Sequence, residues 1–376
     1  MQNRNETQEG VSDSDSPFCR KAEKMKQLQV VKVGSLKEKD ENKRGQVAVR
    51  DVPLREIGPE EVKIKVAYCA ICGSDPHSVE NFFNQEVPFG LGHELSGIVV
   101  ELGEKAKDKG LKVGDRVAGN FLAFCGTCYY CQNGQEQFCE HTDRHNFPGF
   151  SEYVIWHESQ VYKLPDTVSL KTGCLLEPIS IATRIMDKLD MKFGMRVAIC
   201  GGGPIGLLTL QSIAMFGASK VAMIEPIEDR RKLALKYGAS DVIDPIHQNL
   251  QEETDKITDG MGFDVVIDCS GSVHAVEGLP GITAKGGKLL YAAQYPHGYK
   301  LPLDLTEYLY FKEITISGVF IAPYAYPRAL QMLERYKLDE FTEQVYPLDK
   351  GAEAFADQVT GKHVKILIQC NEDIRE

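Results

Sequence analysis

The sequence predicts an α/β protein of two lobes: a β-rich, barrel-like region followed by a doubly wound parallel sheet. Three observations point there. From Gln27 to about residue 178, short strand-like runs are separated by Gly and Pro turns, the texture of a small barrel. Beyond that point apolar strands alternate with helix-period segments, which calls for a parallel sheet with crossover helices. Between one such strand and helix stands Gly201-Gly202-Gly203-Pro204-Ile205-Gly206, a turn built to bring backbone close to a phosphate.

The elements follow in order. Residues 1–26 are polar and carry Ser-Asp-Ser-Asp-Ser from Ser12 to Ser16. They offer too little apolar surface to offset ordering entropy, so a flexible tail is expected. Strands are expected at Leu28–Val33, Val47–Val52, Val62–Ala67, Leu95–Leu102, Arg116–Gly119 and Tyr153–Val161. The second series runs Arg196–Cys200, Val221–Ile224, Val242–Ile243, Val265–Asp268, Lys288–Ala292 and Thr315–Val319, with helices at Ile205–Phe216 and Arg230–Tyr237. Helices at Pro327–Tyr336 and Gly351–Gln358 and a strand at Val364–Gln369 close the chain.

Composition narrows the function classes. The chain has 376 residues, a formal net charge of -11, 43% hydrophobic and 26% charged residues, the balance of a soluble globular protein of two or three domains. An acidic surface repels phosphate backbones and anionic lipid, so neither nucleic acid nor a membrane is an expected partner. No apolar run reaches the roughly 18 residues of a membrane span, and Met1–Gly10 lacks the apolar stretch of a secretory signal. Of eleven cysteines four are clustered and the rest scattered, with no disulfide framework; this fits a reducing compartment, so a cytoplasmic location is expected.

Two cysteine features carry metal chemistry. Cys125-Gly-Thr-Cys128-Tyr-Tyr-Cys131 is followed after seven residues by Cys139. Two-residue spacers let neighbouring thiolates bend onto one zinc at about 2.3 Å, and a fourth thiolate closes the tetrahedron, which marks a structural site. Separately, Cys72 and His93 lie on loops leaving the β-rich region. A thiolate and an imidazole can share an ion, and a carboxylate from Glu94 or Glu177 would leave a position open for water or substrate.

In the glycine loop, Gly201 allows the tight turn, Gly203 admits the pyrophosphate, and Gly206 lets helix pack on strand, with Pro204 and Ile205 opening the helix. Glu225 ends the next strand, about twenty residues on. A carboxylate there accepts from both ribose hydroxyls and repels a 2′-phosphate, which favours NAD over NADP. Arg230, nearby, would contact the adenosine side and soften that preference.

These motifs together resemble the zinc-dependent medium-chain dehydrogenase/reductase family, and within it the polyol branch of sorbitol, xylitol and arabinitol dehydrogenases. The resemblance rests on Ile71-Cys72-Gly73-Ser74-Asp75, Gly92-His93-Glu94, Val113-Gly-Asp-Arg-Val117, the cysteine lobe, Gly149–Val154, Leu176-Glu177-Pro178 and Gly201–Gly206. It implies a GroES-like catalytic domain from 27–178 and 320–376, and a Rossmann domain over 179–319. It also implies two zinc ions per chain, NAD, and a homodimer or homotetramer. By the same resemblance Cys72, His93, Glu94 and Glu177 surround the catalytic zinc, while Ser74 and His77 pass on the substrate proton as hydride leaves for the nicotinamide. The implied activity is reversible oxidation of a secondary alcohol, a polyol or sugar alcohol, to the ketone. L-threonine or a general secondary alcohol is the alternative substrate, and a non-catalytic zinc- and nucleotide-binding protein the alternative class. Two departures stand out. Arg184 occupies a position where the polyol branch commonly has His, and Ile321 follows Gly318-Val-Phe where animal sorbitol dehydrogenases have Arg.

Overall fold

The computed structural model describes residues 23–142 and 148–374. Two large sheets organise it. The first has seven strands, ordered Gln344–Pro347, Ile366–Gln369, Glu61–Ala70, Glu94–Leu102, Arg116–Gly119 and Val161–Lys163, with Tyr153–His157 also paired to Glu61–Ala70. Alternating apolar residues in Glu61–Ala70 bury Val62, Ile64 and Val66 completely, as a strand with one core face requires. A three-stranded sheet of Gln46–Pro53, Lys24–Lys32 and Phe89–Gly90 packs beside it.

The second sheet is the expected doubly wound one. Its six strands run Asp241–Ile243, Lys220–Ile224, Arg196–Cys200, Phe263–Asp268, Thr283–Tyr291 and Thr315–Gly318, and every pairing is parallel. The winding direction reverses between Arg196–Cys200 and Phe263–Asp268, and at such a switch point a crevice opens beyond the carboxyl ends of the strands.

One rung of the first sheet gathers distant parts of the chain. Ala70 pairs antiparallel with Glu94 on one side and with Leu367 on the other. The loops carrying Cys72 and His93 therefore leave the same end of the sheet, and Lys365 sits beside them. Side chains alternate faces with period two, so a one-residue slip would turn these groups away from one another.

Several elements differ from the expectation. The first strand begins at Lys24, so residues 24–26 are paired and do not belong to a tail; residues 1–22 of the expected tail lie outside the described residues. The single strand expected over Tyr153–Val161 breaks at Glu158–Gln160, a 3₁₀ turn that His157 caps through its ring nitrogen. A 14-residue helix, Leu176–Leu189, was not anticipated. Pro178 obscured it, yet proline is well placed in a first helical turn, where its missing N–H is no loss. This helix packs on Pro204–Phe216 and on Tyr326–Met332, and its first turn carries Glu177. Lastly, Thr306–Phe311 forms a π-helical turn before the edge strand Thr315–Gly318.

The C-terminal helix Gly351–Gln358 is held to the first lobe by Phe355, fully buried and edge-on to Phe150 at 5.7 Å. Truncating an enclosed aromatic side chain costs roughly 3–5 kcal/mol. Phe355→Ala should lower the urea midpoint by a corresponding amount, and a midpoint within experimental error of the parent would show that this helix does not brace the lobe.

Candidate metal and dinucleotide site

Cys72 lies two residues past the end of Glu61–Ala70, on a short loop before the helix Ser74–Val79. His93 immediately precedes Glu94–Leu102. The register described above brings Cys72 Sγ, a His93 ring nitrogen and a Glu94 carboxylate oxygen within 4.8 Å of one another. Glu177 is buried beside them but falls outside that group of three.

Charge balance shows what this cluster accommodates. Burial pushes the Glu177 carboxyl up to about 8; His93 opposes this, while Glu94 and Cys72 add to it. Burial likewise raises the Cys72 thiol to about 12, with Glu94 adding and Lys365 opposing. Asp75 rises to about 6 for the same primary reason. One thiol and three carboxyls thus share a dry site with one imidazole and one ammonium, an arrangement that a divalent cation would balance. The donor set of thiolate, imidazole and carboxylate suits zinc.

Two supporting residues escaped the sequence reading. Asp75 is buried, accepts the Cys72 backbone N–H at 2.8 Å through Oδ2, and places Oδ1 3.8 Å from His93 Nδ1. At 3.8 Å this is an electrostatic contact rather than a hydrogen bond, and it helps to orient the ring. Lys365 is equally enclosed, and its Nζ reaches Glu94 Oε1 at 2.8 Å, Glu94 Oε2 at 2.7 Å and the Ile71 carbonyl at 3.1 Å. Burial alone would lower its pKa, but Glu94 holds it above the usual ammonium value. Both oxygens of Glu94 therefore face a fixed cation. The signal for Lys365 was a single Lys inside the apolar run Val364–Ile368, which reads equally well as a solvent-facing position.

Ser74 opens its helix, and its hydroxyl, close to the Cys72 sulfur, slightly offsets the rise of that thiol. His77, one turn on, is half-exposed, with Nδ1 3.6 Å from Glu80 and its ring beside Phe82.

The four-cysteine lobe is equally explicit. Cys125, Cys128, Cys131 and Cys139 bring their sulfurs within 4.8 Å of one another, with Cys125 Sγ and Cys131 Sγ 3.9 Å apart. Two thiolates on one tetrahedral zinc stand about 3.8 Å apart given Zn–S bonds of about 2.3 Å, and a disulfide would demand about 2.0 Å. The Thr127 backbone N–H and hydroxyl, with the Cys128 N–H, draw the Cys125 thiol down to about 5. Burial and the neighbouring thiols push Cys131 up to about 12. Donors already aimed at sulfur favour the thiolate form that a metal needs.

The glycine loop sits at the switch point. Gly201 has φ +98°, and a Cβ there would strike Ser270. A Cβ on Gly206 would lie 1.8 Å from the Gly201 carbonyl, whereas one on Gly203 would meet nothing within 4 Å. Gly206 thus serves helix packing, while Gly203, the cap of Pro204–Phe216, leaves an open approach to the helix N-terminus where an anion is stabilised. Glu225 is buried and reaches back to this loop, accepting from Gly202 N–H at 2.6 Å and Ile227 N–H at 2.9 Å. Arg230 donates to the Gly361 carbonyl at 2.9 Å, tying the sheet to the C-terminal part of the first lobe.

Comparisons with known proteins agree with this geometry. Residues 58–166 match the alcohol dehydrogenase GroES-like domain and residues 204–335 the zinc-binding dehydrogenase domain. The D-arabitol-phosphate dehydrogenase of Enterococcus avium is 34% identical over 341 residues, covering 87% of this chain and 95% of the relative. The chain belongs to the zinc-dependent medium-chain dehydrogenase/reductase family. An L-threonine 3-dehydrogenase of Pyrococcus horikoshii is also 34% identical, over 84% of this chain and 93% of its own. A crystal structure of a Sinorhizobium meliloti zinc-binding dehydrogenase bound to NADP superposes with a TM-score of 0.84 at 30% identity, over 92% of this chain and 99% of that one.

The chain is accordingly an enzyme, a zinc- and NAD(P)-dependent oxidoreductase of this family that works by hydride transfer. No helix among the described residues is long and apolar enough to cross a membrane.

The Glu94–Lys365 pair should reveal itself in stability. Lys365→Met leaves a carboxylate uncompensated in a dry site, at a cost of roughly 3–5 kcal/mol. The double variant Glu94→Gln, Lys365→Met should recover much of that loss. Thermal unfolding of the metal-free proteins checks this, and equal losses in the single and double variants would refute it.

Proposed function

We propose that this dehydrogenase oxidises a secondary alcohol of a polyol or sugar alcohol to the ketone with NAD, reversibly. The observation that carries the reading is the placement of Cys72 and His93, on adjacent loops of one sheet, together with a glycine loop at the switch point of the other. Cys72 and His93 hold the catalytic zinc, with Glu177 completing the set and Glu94 in reserve on Lys365. Cys125, Cys128, Cys131 and Cys139 hold the structural one. When bound, the catalytic zinc supplies Lewis-acid polarisation of the alcohol oxygen. Ser74 takes the hydroxyl proton and His77, half-exposed on the next turn, releases it to solvent. Gly201, Gly203, Pro204, Ile205 and Gly206 seat the pyrophosphate, and Glu225 accepts from the adenosine ribose with Arg230 alongside.

The charges closest in effect to Glu177 are compatible with a neutral substrate. The charged groups acting on Glu177 are His93, Glu94, Cys72 and Lys365, and the only ammonium among them is already engaged by Glu94. A polyol needs no counter-charge, whereas the carboxylate of threonine does. L-threonine is the second reading, favoured by its dehydrogenases among the 34%-identical relatives. We further propose the two-domain division 27–178 with 320–376, and 179–319. In a homodimer the edge strand Thr315–Gly318, flanked by exposed Leu305, Tyr310 and Phe311, would meet a second copy.

Cys72→Ser should reduce turnover to background while NAD(H) affinity, followed by fluorescence titration, stays near that of the parent. Full turnover in that variant would remove Cys72 from the site. Assays over linear polyols, small diols and L-threonine, each with NAD and NADP, should give the highest kcat/KM for a polyol with NAD; a clear preference for L-threonine would replace the first reading by the second. Metal analysis of the purified protein should find close to two zinc ions per chain.

A further inference from the structure

Two aromatic rings carried by loops of the two lobes meet. Phe82 stacks on His297 with centroids 4.1 Å apart and planes 19° from parallel. His297 Nε2 also lies 3.4 Å from the Phe82 carbonyl, a hydrogen bond in the tautomer protonated at that nitrogen.

Each side is braced. Phe82 follows the helix Ser74–Val79 and donates its N–H to the His77 carbonyl at 3.1 Å. It stands in a turn with Asn81 at φ +65° and Asn84 at φ +54°, closed by Gln85 N–H on Asn81 Oδ1 at 2.8 Å. Asparagine adopts left-handed backbone more readily than other non-glycine residues, and two of them set the course of this turn. The turn carries Phe82, with Phe83 edge-on to it at 5.1 Å. On the other lobe, His297 is the apex of a loop pinned two residues away on either side. The Tyr295 hydroxyl donates to Asp268, and the Tyr299 hydroxyl to the Val273 carbonyl and to Glu277. Asp268 also accepts from Ser270 and Gly271, in the turn beyond the carboxyl end of its strand, where a dinucleotide lies in an open parallel sheet.

We propose that the Phe82–His297 stack is a latch across the mouth of the cleft, closed over bound dinucleotide and opened for its release. The inference rests on the dinucleotide reading of Gly201–Gly206. One jaw is rooted two residues after the metal ligand Cys72 through Ser74–Val79. The other is rooted through Tyr295 in the turn that faces the cofactor. The contact therefore joins the two roots, one on each side of the switch-point crevice. The pair is solvent-accessible and small, so it biases an equilibrium between open and closed forms without locking it.

The test uses the full-length protein and NADH. Equilibrium fluorescence titration of the parent comes first, followed by stopped-flow displacement to obtain the NADH dissociation rate constant. Phe82→Ala and His297→Ala should each raise that rate about 2- to 10-fold, the factor an aromatic pair contributes. The double variant should be no faster than either single one, because both remove the same contact. His297→Phe, which keeps a ring to stack, should stay within about twofold of the parent. An unchanged rate in His297→Ala, additive effects in the double variant, or a His297→Phe variant as fast as His297→Ala would overturn the latch. A parent that fails to bind NADH in the first titration would overturn the dinucleotide reading, and the latch with it.

Discussion

The rung in which Ala70 is flanked by Glu94 and Leu367 is the constraint on which the rest of the structure depends. It joins segments separated by hundreds of residues through backbone hydrogen bonds that are indifferent to side-chain chemistry. Once the register is set, the residues just beyond the rung have little freedom. Cys72 and His93 leave the sheet on adjacent loops, and Lys365 faces them from the third strand. The convergence of Cys72, His93 and Glu94 is thus a consequence of strand pairing, and the buried ladder gives that cluster a rigid base.

Around that rung the protein concentrates negative charge at a depth where water cannot screen it. Lys365 neutralises Glu94 through both oxygens, and Asp75 spends its carboxylate on the Cys72 backbone and the His93 ring. What remains is a thiol and Glu177, both pushed towards their neutral forms by burial. Such a site is costly as bare protein and becomes favourable when a cation enters. The cysteine lobe solves the same problem at the surface by different means, with backbone N–H groups already directed at Cys125.

The two lobes are tied at several points by contacts of different character. The helix Leu176–Leu189 runs between them and carries Glu177 in its first turn. Arg230 donates to Gly361 near the glycine loop, and Phe82 stacks on His297. The first is extensively buried, the second a single hydrogen bond, and the third an exposed stack. The contacts thus run from buried, near the Cys72–His93–Glu94 cluster, to exposed, between the loops of Phe82 and His297.

Read by itself, the sequence determined the parts whose chemistry is local. The Cys125–Cys139 spacing, the strand–glycine–helix succession at Gly201 and the alternation in Val62–Ala67 are short-range patterns, and the structure has the four sulfurs converging, the glycine turn between strand and helix, and a strand there. The chain's membership in its family was legible for the same reason, since those motifs are contiguous. What only the tertiary structure decided depends on pairings distant in sequence. The ion pair of Lys365 with Glu94 spans 271 positions, and nothing in the Val364–Ile368 run shows which face of the strand its lysine occupies. The helix at Glu177 was hidden by a proline that is harmless in a first turn, and the start of the first strand at Lys24 was hidden by polar residues held by ladder hydrogen bonds. The meeting of Phe82 and His297 arises between loops of different lobes. Local propensity specifies elements, but register and docking are set by long-range burial and hydrogen bonding, which a one-dimensional pattern does not contain.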